Sequence, residues 1–387
     1  MKKILSSLLL VLGVPWLAVL WQDTRHNSGP QEPSLSVPEL LGGEVGQGFA
    51  RPLAVRQFRF PEDHAPHPDF RTEWWYFTGN LRTRDQDLGY QLTFFRQALL
   101  SPAERLLERH SKWSASHAWM AHFAISDPTR ERFHHFQKLS REAIGLAGYQ
   151  DKPLSLWVEN WRMEWLPNDE VRLQAQAQEC QLDLRLKSLK PVVLQGNAGL
   201  SQKGPDPGQS SYYYSLTRLQ TQGQIGLPGL AQQQVTGLSW MDREWSTQPL
   251  SKNLVGWDWF SLQLSNGEEL MYYQLRDKQG KATAQSSGSW VRSNGEVVAC
   301  PSDQVELAVT DQWKSPIDGS SYPAGWNLEL KSGLRLQIKP KLANQEMTGV
   351  GRYWEGAVRV RGFDAQGKRI QGSGYVELVG YGAAAGE

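Results

Sequence analysis

Cysteine is scarce in this sequence, and its scarcity excludes two kinds of protein. Of 387 residues only Cys180 and Cys300 are cysteines, one in each half of the chain. Two thiols cannot build the disulfide framework of a small secreted domain, and a structural zinc site needs about four ligands. All eight histidines lie at or before His135, so the rest of the chain offers none. We expect two buried free thiols, with a single disulfide as the alternative, and no metal site.

Excess charge and the familiar cofactor motifs are also absent. The chain has 41 basic and 40 acidic residues, and a net charge of +1 gives nucleic acid no electrostatic reason to bind. The sequence contains no Gly-x-Ser-x-Gly nucleophile motif, no phosphate-binding loop, no dinucleotide fingerprint and no His-Glu-x-x-His motif. We therefore expect no nucleic-acid partner and no cofactor.

Tryptophan is abundant, with 17 residues, and it marks an internal repeat. Adding 183 to the residue number carries Trp74 onto Trp257, and it carries Tyr-Gln-Leu at 90–92 onto the same triplet at 273–275. This period is far longer than the roughly 20–50 residues of a solenoid repeat. The agreeing spacings of rare residues indicate a tandem duplication and predict two similar domains.

Short runs of aromatic and β-branched residues between turn sequences predict an all-β protein. Residues 72–81 are such a run, and Asn266-Gly267 is a favoured two-residue hairpin turn. Aromatic residues on both faces of a strand favour closed barrels over a sandwich, which usually keeps one polar face. The predicted domains are a barrel at 51–225 and a second barrel at 226–387. A short helix is predicted at 101–110, with a Ser cap and Pro at its first position.

The first residues of the chain have the pattern of an export signal. Lys2 and Lys3 precede an uncharged, largely apolar run from Ile4 to Trp21, on the border between a signal peptide and a membrane-spanning helix. Residues 1–21 are therefore predicted to be a signal peptide or an uncleaved anchor, and residues 22–50 an extended tether. Either alternative places the domains in the periplasm, because the positive end stays in the cytoplasm.

Five stretches of the chain resemble one protein family. They are His-Pro-Asp-Phe-Arg-Thr-Glu-Trp-Trp-Tyr-Phe-Thr-Gly-Asn-Leu at 67–81, Trp-Met-Asp-Arg-Glu-Trp at 240–245, Gly-Trp-Asp-Trp-Phe at 256–260, Tyr-Trp-Glu-Gly-Ala at 353–357 and Gly-Tyr-Val-Glu-Leu at 374–378. On these the chain is similar to the AttH family, which includes the carotenoid 1,2-hydratases. The resemblance implies two lipocalin-like, calycin-type β-barrels in tandem. Many relatives are named secreted hydrolases, and many accompany transporters of the lipoprotein-release type, which implies an ABC transporter permease as a partner.

An aspartate between two tryptophans is the first candidate for chemistry. If Asp258 points inward between Trp257 and Trp259, loss of hydration raises its pKa and keeps the carboxyl protonated. Such a carboxyl can donate a proton to an alkene or a leaving group, and indole faces stabilise the resulting cation. The alternative is that Asp258 points outward and pairs with Arg243 or with a neighbour on an adjoining strand.

Two further carboxyls lie in the stretch 240–245. Strand alternation puts Asp242 and Glu244 on one face and Arg243 on the other. The two carboxyls are candidates for the acid and the base around a bound water, with Tyr273 assisting. The alternative is structural, with Arg243 tying the two domains together. Glu73, with Arg71 beside it, allows the same two interpretations, and an ion pair between the domains is favoured there too.

Aromatic side chains complete the predicted site. The predicted ligand-binding residues are Trp74, Trp75, Tyr76, Trp240, Trp245, Trp257, Trp259 and Trp354. The sequence thus predicts a periplasmic lipocalin-like protein that binds an apolar ligand, isoprenoid or acyl, in a tryptophan-lined cavity and works with an envelope ABC transporter. One alternative is a cofactor-free hydratase or hydrolase with Asp258 as its general acid, and a sugar-stacking module is another.

Overall fold

The computed structural model describes residues 48–107, 115–248, 250–251 and 253–382. Strands make up 60% of the described residues and helices 6%, which confirms the all-β prediction. Within the described residues, no helix is both long enough and apolar enough to cross a membrane. The predicted leader at 1–21, most of the predicted tether and residues 108–110 of the predicted helix lie outside the described residues.

The strands form two sheets. The first sheet contains β1 Thr72–Arg82, β2 Asp87–Ala98, β3 His117–Asp127, β4 Arg132–Arg141, β5 Ala147–Asp151, β6 Leu154–Val158, β7 Trp161–Leu166, β8 Glu170–Ala177, β9 Cys180–Ser188, β10 Val193–Leu194, β11 Leu200–Gln202, β12 Ser210–Gly226 and β13 Gln233–Ser246. The second sheet contains β14 Leu254–Leu264, β15 Glu269–Asp277, β16 Ser287–Val291, β17 Val297–Pro301, β18 Val305–Lys314, β19 Ser321–Leu330, β20 Arg335–Pro340, β21 Glu346–Met347, β22 Tyr353–Phe363 and β23 Arg369–Val379. The helical elements are α1 Pro102–Leu107 and the 3₁₀ turns Glu62–His64, Ala143–Gly145, Pro167–Asp169 and Ser302–Gln304.

Both sheets are antiparallel and strongly curled. The first has the strand order β4-β3-β2-β1-β13-β12-β9-β8-β7-β6-β5, and its edge strands β4 and β5 contact each other. The second has the order β17-β16-β15-β14-β23-β22-β20-β19-β18, and only a 3₁₀ turn separates its edge strands β17 and β18 along the chain. Each sheet curls into a barrel or half-barrel, which confirms the predicted tandem lipocalin-like fold.

The change of sheet lies later in the chain than the boundary at 225/226 that the sequence led us to expect. Strand β13 pairs with both β1 and β12, so it belongs to the first sheet. The second sheet therefore starts with β14, after Ser246. Pairing between β1 and a strand that follows it by about 160 residues is non-local, and periodicity along the sequence carries no sign of it.

The internal repeat corresponds to equivalent positions in the two sheets, but only in part. Each of β1 and β14 pairs on one side with the strand that follows it in a hairpin, and on the other side with a strand much later in the chain. In these hairpins Tyr76 pairs with Thr93, and its counterpart Trp259 pairs with Tyr273. Tyr273 is therefore equivalent to Thr93 rather than to Tyr90, so the repeated Tyr-Gln-Leu triplet does not occupy equivalent positions.

Alternating side chains fill the interior of each barrel. Trp75 and Phe77 point into the first barrel, Phe260 and Leu262 point into the second, and all four are fully buried. Burial of each such side chain stabilises the fold by about 1.5–3 kcal/mol. The two free cysteines belong to these two cores, and burial raises the pKa of each thiol to about 11.

Helix α1 begins at the predicted residue. The backbone N–H of Ser101 donates to the Glu104 carboxylate (2.7 Å), and the backbone N–H of Glu104 donates to Ser101 Oγ (3.4 Å). This reciprocal cap satisfies two backbone donors that a helix start leaves without partners. Helix α1 buries none of its own residues.

Candidate functional site

A cavity of about 110 Å³ lies between the two sheets, outside both barrel interiors. Side chains alternate along a strand, so one face of β1 and one face of β14 fill the barrel interiors and the other face of each strand points away from them. These outer faces supply the central aromatic residues of the cavity. The lining residues are Trp74, Tyr76, Phe95, Met120, His122, Lys203, Tyr213, Asp242, Glu244, Leu250, Trp257, Trp259, Tyr273, Leu275, Tyr353 and Glu377. Both sheets contribute, so the cavity exists only when the two are packed together.

Aromatic rings form most of the contact between the sheets at this point. The Tyr76 and Trp259 rings, which are equivalent residues of β1 and β14, meet edge to face with centroids 5.1 Å apart. Trp240 and Trp259 make a second edge-to-face contact at 6.4 Å. Such pairs add about 0.5–1.5 kcal/mol to the stabilisation from burial alone. The cavity walls are consequently apolar, and the few polar groups among them are conspicuous.

Asp242 is the first of these polar groups. Its carboxyl accepts hydrogen bonds from Ser215 Oγ (2.5 Å), Tyr213 OH (2.5 Å) and Trp240 Nε1 (2.6 Å). Burial raises its pKa to about 7, although those three donors favour the ionised form. At neutral pH a substantial fraction of Asp242 therefore carries a proton. A carboxyl in that condition can donate or accept a proton.

Glu244 lies two residues further along the same face of β13 and has a different environment. The Ser211 hydroxyl donates to its carboxylate, and Lys203 Nζ lies 3.4 Å from Glu244 Oε1. The Lys203 ammonium also lies 3.8 Å from the centre of the Tyr273 ring. Burial alone would lower the pKa of Lys203, but the charge and hydrogen bond of Glu244, together with the neighbouring Tyr273 and Asp242, raise it. Glu244 and Lys203 thus form an ion pair in the cavity wall.

A second pair of carboxyls comes from the other sheet. Glu355 on β22 and Glu377 on β23 are directly opposite in the strand register. Burial raises the pKa of Glu377 to about 8, and burial with the neighbouring Glu377 charge raises the pKa of Glu355 well above its usual range. Tyr76 OH donates to Glu355 Oε1 (2.5 Å), while Glu355 Oε2 is buried without a hydrogen-bond partner among the described residues. Ionisation of both of these neighbouring carboxyls is therefore disfavoured near neutral pH.

The strand register relates the acids of the two sheets. Asp242 pairs with Tyr76 of β1, and Glu377 pairs with Trp259 of β14, the counterpart of Tyr76. Asp242 and Glu377 are therefore equivalent residues of the two halves. Each half contributes one carboxyl whose pKa burial raises, to about 7 and about 8.

A histidine and a tyrosine complete the cavity wall at the junction of the sheets. His122 Nδ1 of β3 lies 2.7 Å from the hydroxyl of Tyr353 on β22. Burial lowers the pKa of His122 to about 3, so the imidazole is neutral and polar without being charged. Tyr353 begins the stretch 353–357, whereas His122 stands alone between Ala121 and Phe123.

The structure corrects the prediction for Asp258. Its side chain turns away from the cavity, and Arg276 Nε donates to Oδ1 at 3.0 Å while Tyr381 OH donates to Oδ2 at 3.0 Å. Burial still raises its pKa, although the Arg276 charge opposes the shift. Asp258 is a member of a structural ion pair with a residue of the adjoining strand, as in the alternative interpretation. Trp257 and Trp259 face the cavity, and the residue between them must face the other way.

The predicted ion pair between domains is also corrected. Arg243 binds the Glu73 carboxylate, which Arg96 binds as well, and all three residues belong to strands of the first sheet. Despite burial, the two guanidinium groups lower the pKa of Glu73 well below its usual range. Arg243 thus stabilises the first barrel from within. The predicted alternation of Asp242 and Glu244 against Arg243 is present.

The predicted ligand-binding residues divide into two groups. Trp74, Tyr76, Trp257 and Trp259 line the cavity, and Trp240 lies behind it as a hydrogen-bond donor to Asp242. The other three are structural. Trp75 stacks on the Arg243 guanidinium at 3.8 Å, Trp245 stacks on His67 with centroids 3.8 Å apart, and Trp354 belongs to the core of the second barrel.

Sequence reasoning placed Asp242, Glu244 and Tyr273 at the site, and all three line the cavity. It missed Lys203, Tyr213, Glu355 and Glu377. The two glutamates lie in the stretches 353–357 and 374–378, where one acid stands in an apolar strand, and that pattern could have identified them. In the described part of the chain, no three His, Cys, Asp or Glu side chains converge so that they could hold a metal ion.

The two curled sheets and the cavity between them define a tandem lipocalin-like protein. The chain belongs to the AttH-like family, whose characteristic sequence pattern it matches over residues 51–381. Among solved structures, a protein described as AttH from Nitrosomonas europaea is 33% identical, with a TM-score of 0.75, and the alignment covers 86% of this chain and all of that one.

Two more distant structures share the fold. Kievitone hydratase from Nectria haematococca is 17% identical with a TM-score of 0.63, and the alignment covers 88% of this chain and 96% of the hydratase. CghA is 12% identical with a TM-score of 0.51, covering 89% of this chain and 98% of its own. Identities this low show similarity of fold alone. No protein with a curated function matches the sequence.

Proposed function

We propose that this protein adds water to a carbon–carbon double bond of an apolar ligand held in the cavity between its sheets, without a cofactor. The observation that carries the proposal is Asp242, a carboxyl in an aromatic cavity whose pKa of about 7 keeps it partly protonated at neutral pH. General acids work best when their pKa lies near the working pH. The apolar walls around it favour an isoprenoid or acyl ligand.

The first step is proton transfer from Asp242 to one carbon of the double bond. The new C–H bond uses the π electrons, and the other carbon becomes cationic. Trp257, Trp259 and Tyr273 present ring faces and edges to the cavity, and a ring face attracts a cation by about 2 kcal/mol when water is excluded. The Asp242 carboxylate left behind accepts hydrogen bonds from Tyr213, Ser215 and Trp240, which stabilise its charge.

The second step is attack by water. A water oxygen bonds to the cationic carbon, and its proton passes to the Glu244 carboxylate, which Lys203 holds in place. The product is an alcohol, and exchange with solvent returns the proton from Glu244 to Asp242, so the reaction consumes only water. Glu377 is a second protonated carboxyl on the opposite sheet and is available as the donor when the ligand binds in the reverse orientation.

Kievitone hydratase, which shares the fold, is named for a hydration reaction, and that name agrees with the proposed chemistry. At 17% identity it cannot supply a substrate or a mechanism for this chain. The support for hydration therefore comes from the carboxyls of the cavity. Hydrolysis is the chemical alternative, because the same acid could protonate a leaving group.

The test is turnover of apolar alkenes in water enriched in heavy oxygen, followed by mass spectrometry. A hydratase yields a product heavier by one labelled water, whereas a hydrolase yields two fragments. Asp242→Asn should lower the rate by roughly 10²–10⁴-fold. Asp258→Asn is the matched control, because it makes the same change in a buried aspartate outside the cavity and should keep turnover. Full activity of Asp242→Asn would refute the proposed mechanism.

A second candidate is a ligand carrier, which the apolar cavity walls favour. In this proposal the protein holds an isoprenoid or acyl molecule in the periplasm, where the predicted leader delivers it, for an ABC transporter of the envelope. Solvent extraction of the purified protein and mass spectrometry of lipids would identify such a molecule. A carrier retains its ligand unchanged in both the wild type and Asp242→Asn, whereas a hydratase converts it only in the wild type.

A further inference from the structure

Three leucines around helix α1 are exposed to an unusual degree for large apolar side chains. The exposed fractions are 51% for Leu99, 88% for Leu106 and 86% for Leu107. Scattered apolar residues on a surface need no explanation, but these three lie within nine residues of one another on a single element and the turn before it. Helix α1 buries none of its side chains, and its contacts with the barrel are polar ones made by Arg105, which lies 3.0 Å from His117 of β3 and donates to Pro68 O.

The described chain begins beside this helix. A Cβ added to Gly48 would lie 3.1 Å from Oγ of Ser101, the residue that caps α1. The entering segment then crosses the end of the first barrel, where Thr247 Oγ1 donates to Ala50 O. The apolar helix and the point of entry of the chain therefore lie at the same end of the molecule.

The cavity reaches that same end. Trp74 lies two residues after the first residue of β1, and Phe95, its neighbour on β2, lies three residues before the strand ends. The partly exposed members of the cavity lining are Trp74, Phe95, Met120, Trp257 and Glu377, whereas the other lining residues are buried. The opening of the cavity thus lies at the end of the barrel that carries α1.

We propose that this end of the protein docks on a lipid bilayer by inserting Leu99, Leu106 and Leu107, with the opening of the cavity facing the lipid. The sequence outside the described residues supports a bilayer as the occupant. The predicted membrane segment ends at Trp21, and the 26 residues between it and Gly48 span at most about 90 Å even when fully extended. The tether therefore sets an upper limit of about 90 Å on the distance between Gly48, beside the exposed leucines, and any membrane that holds the leader.

Docking in this orientation lets an apolar ligand pass from the bilayer into the cavity without crossing water. This part of the inference rests on the proposed function, whereas docking itself does not. Exposed charges of both signs surround the face, with Arg51 and Arg59 balanced by Glu62, Asp69 and Glu104. Apolar insertion therefore accounts for the docking, and zwitterionic lipid is sufficient for it.

The test uses the full chain inserted through its leader into phosphatidylcholine vesicles that contain a lipid-borne quencher. A fluorophore is attached at Leu106→Cys, and the control label is at Leu189→Cys. Leu189 is 52% exposed and follows β9, and β9 pairs with the half of β12 away from the α1 end. The native Cys180 and Cys300 stay unlabelled, because both thiols are buried and their pKa values are about 11.

Docking predicts quenching several-fold stronger at position 106 than at position 189. The added pair Leu99→Ser and Leu107→Ser should abolish the difference while leaving the fold intact, because neither side chain is packed in a core. Equal quenching at the two positions would overturn the proposal, and so would shielding of position 106 that appears only when another envelope protein is present. Both labels report without turnover, so failure of docking is distinguishable from failure of hydration.

Discussion

Replacement of Asp242 by asparagine should change the pH dependence of stability as well as the chemistry. The pKa of this carboxyl rises from the ordinary 3.8 to about 7 in the folded protein, and burial is the main cause. A difference of that size costs the ionised carboxylate about 4 kcal/mol relative to the unfolded chain. Asparagine has the same shape and no charge, so the variant does not pay this cost.

The direction in which the free energy of unfolding changes with pH depends on how many protons the folded and unfolded states bind. Between about pH 4 and about pH 7 the folded protein holds a proton on Asp242 that the unfolded chain has released. The free energy of unfolding of the wild type therefore falls as pH rises through this window, and below it the contribution is fully present. The variant lacks the contribution, whereas the similar effect of Glu377 is common to both proteins.

Urea unfolding of both proteins at several pH values measures the effect. The difference in unfolding free energy, variant minus wild type, should grow by about 4 kcal/mol between about pH 4 and about pH 7, and stay constant above it. As pH rises to about 7, the variant should thus gain stability relative to the wild type, although the substitution removes its activity. Such a trade-off between stability and activity is common at catalytic sites. Parallel pH profiles for the two proteins would show that Asp242 titrates normally, and the proposed role as an acid would then fail.

Three further predictions test the structural assignments. Asp258→Asn should lower the melting temperature, because it leaves the buried guanidinium of Arg276 without its counter-charge. The same variant should leave the quenching of tryptophan fluorescence by an apolar ligand unchanged. Loss of that quenching would place Asp258 in the site. Arg243→Met should lower the free energy of unfolding in urea by about 3–5 kcal/mol, since Glu73 keeps only one of its two cationic partners. A decrease of less than about 1 kcal/mol would contradict the buried ion pair. Cys180 and Cys300 should react with a thiol reagent at about pH 8 only after unfolding, and rapid reaction of the native protein would contradict their burial.

The sequence was sufficient for the architecture because alternation and repetition are local signals. The alternation of Trp74 and Tyr76 against Trp75 predicted two different environments, and the structure has them. The same rule applied to Asp242 and Glu244 put both on one face, where they line the cavity. Alternation cannot say which of two faces meets a second sheet, and for that reason the sequence left both orientations of Asp258 open.

Long-range pairing explains the other discrepancies. The cavity needs β13, β22 and β23 beside strands that are far away in the sequence, so the neighbours of Glu355 and Glu377 could not be inferred from local patterns. Lys203 comes from a loop after β11, and only its contacts with Glu244 identify its role. The first boundary was misplaced for the same reason, because a strand that returns to an earlier sheet looks like the start of a new domain.

The late return of β13 has a consequence for synthesis of the chain. β13 lies between β1 and β12 and pairs with both of them. About 245 residues must therefore be made before the middle of the first sheet can close. Until then two strands expose unpaired edges, which readily join other chains. A chain emerging slowly from a ribosome therefore needs either protection by a chaperone or rapid completion. A fragment that ends near residue 225 would keep those edges open permanently and should aggregate.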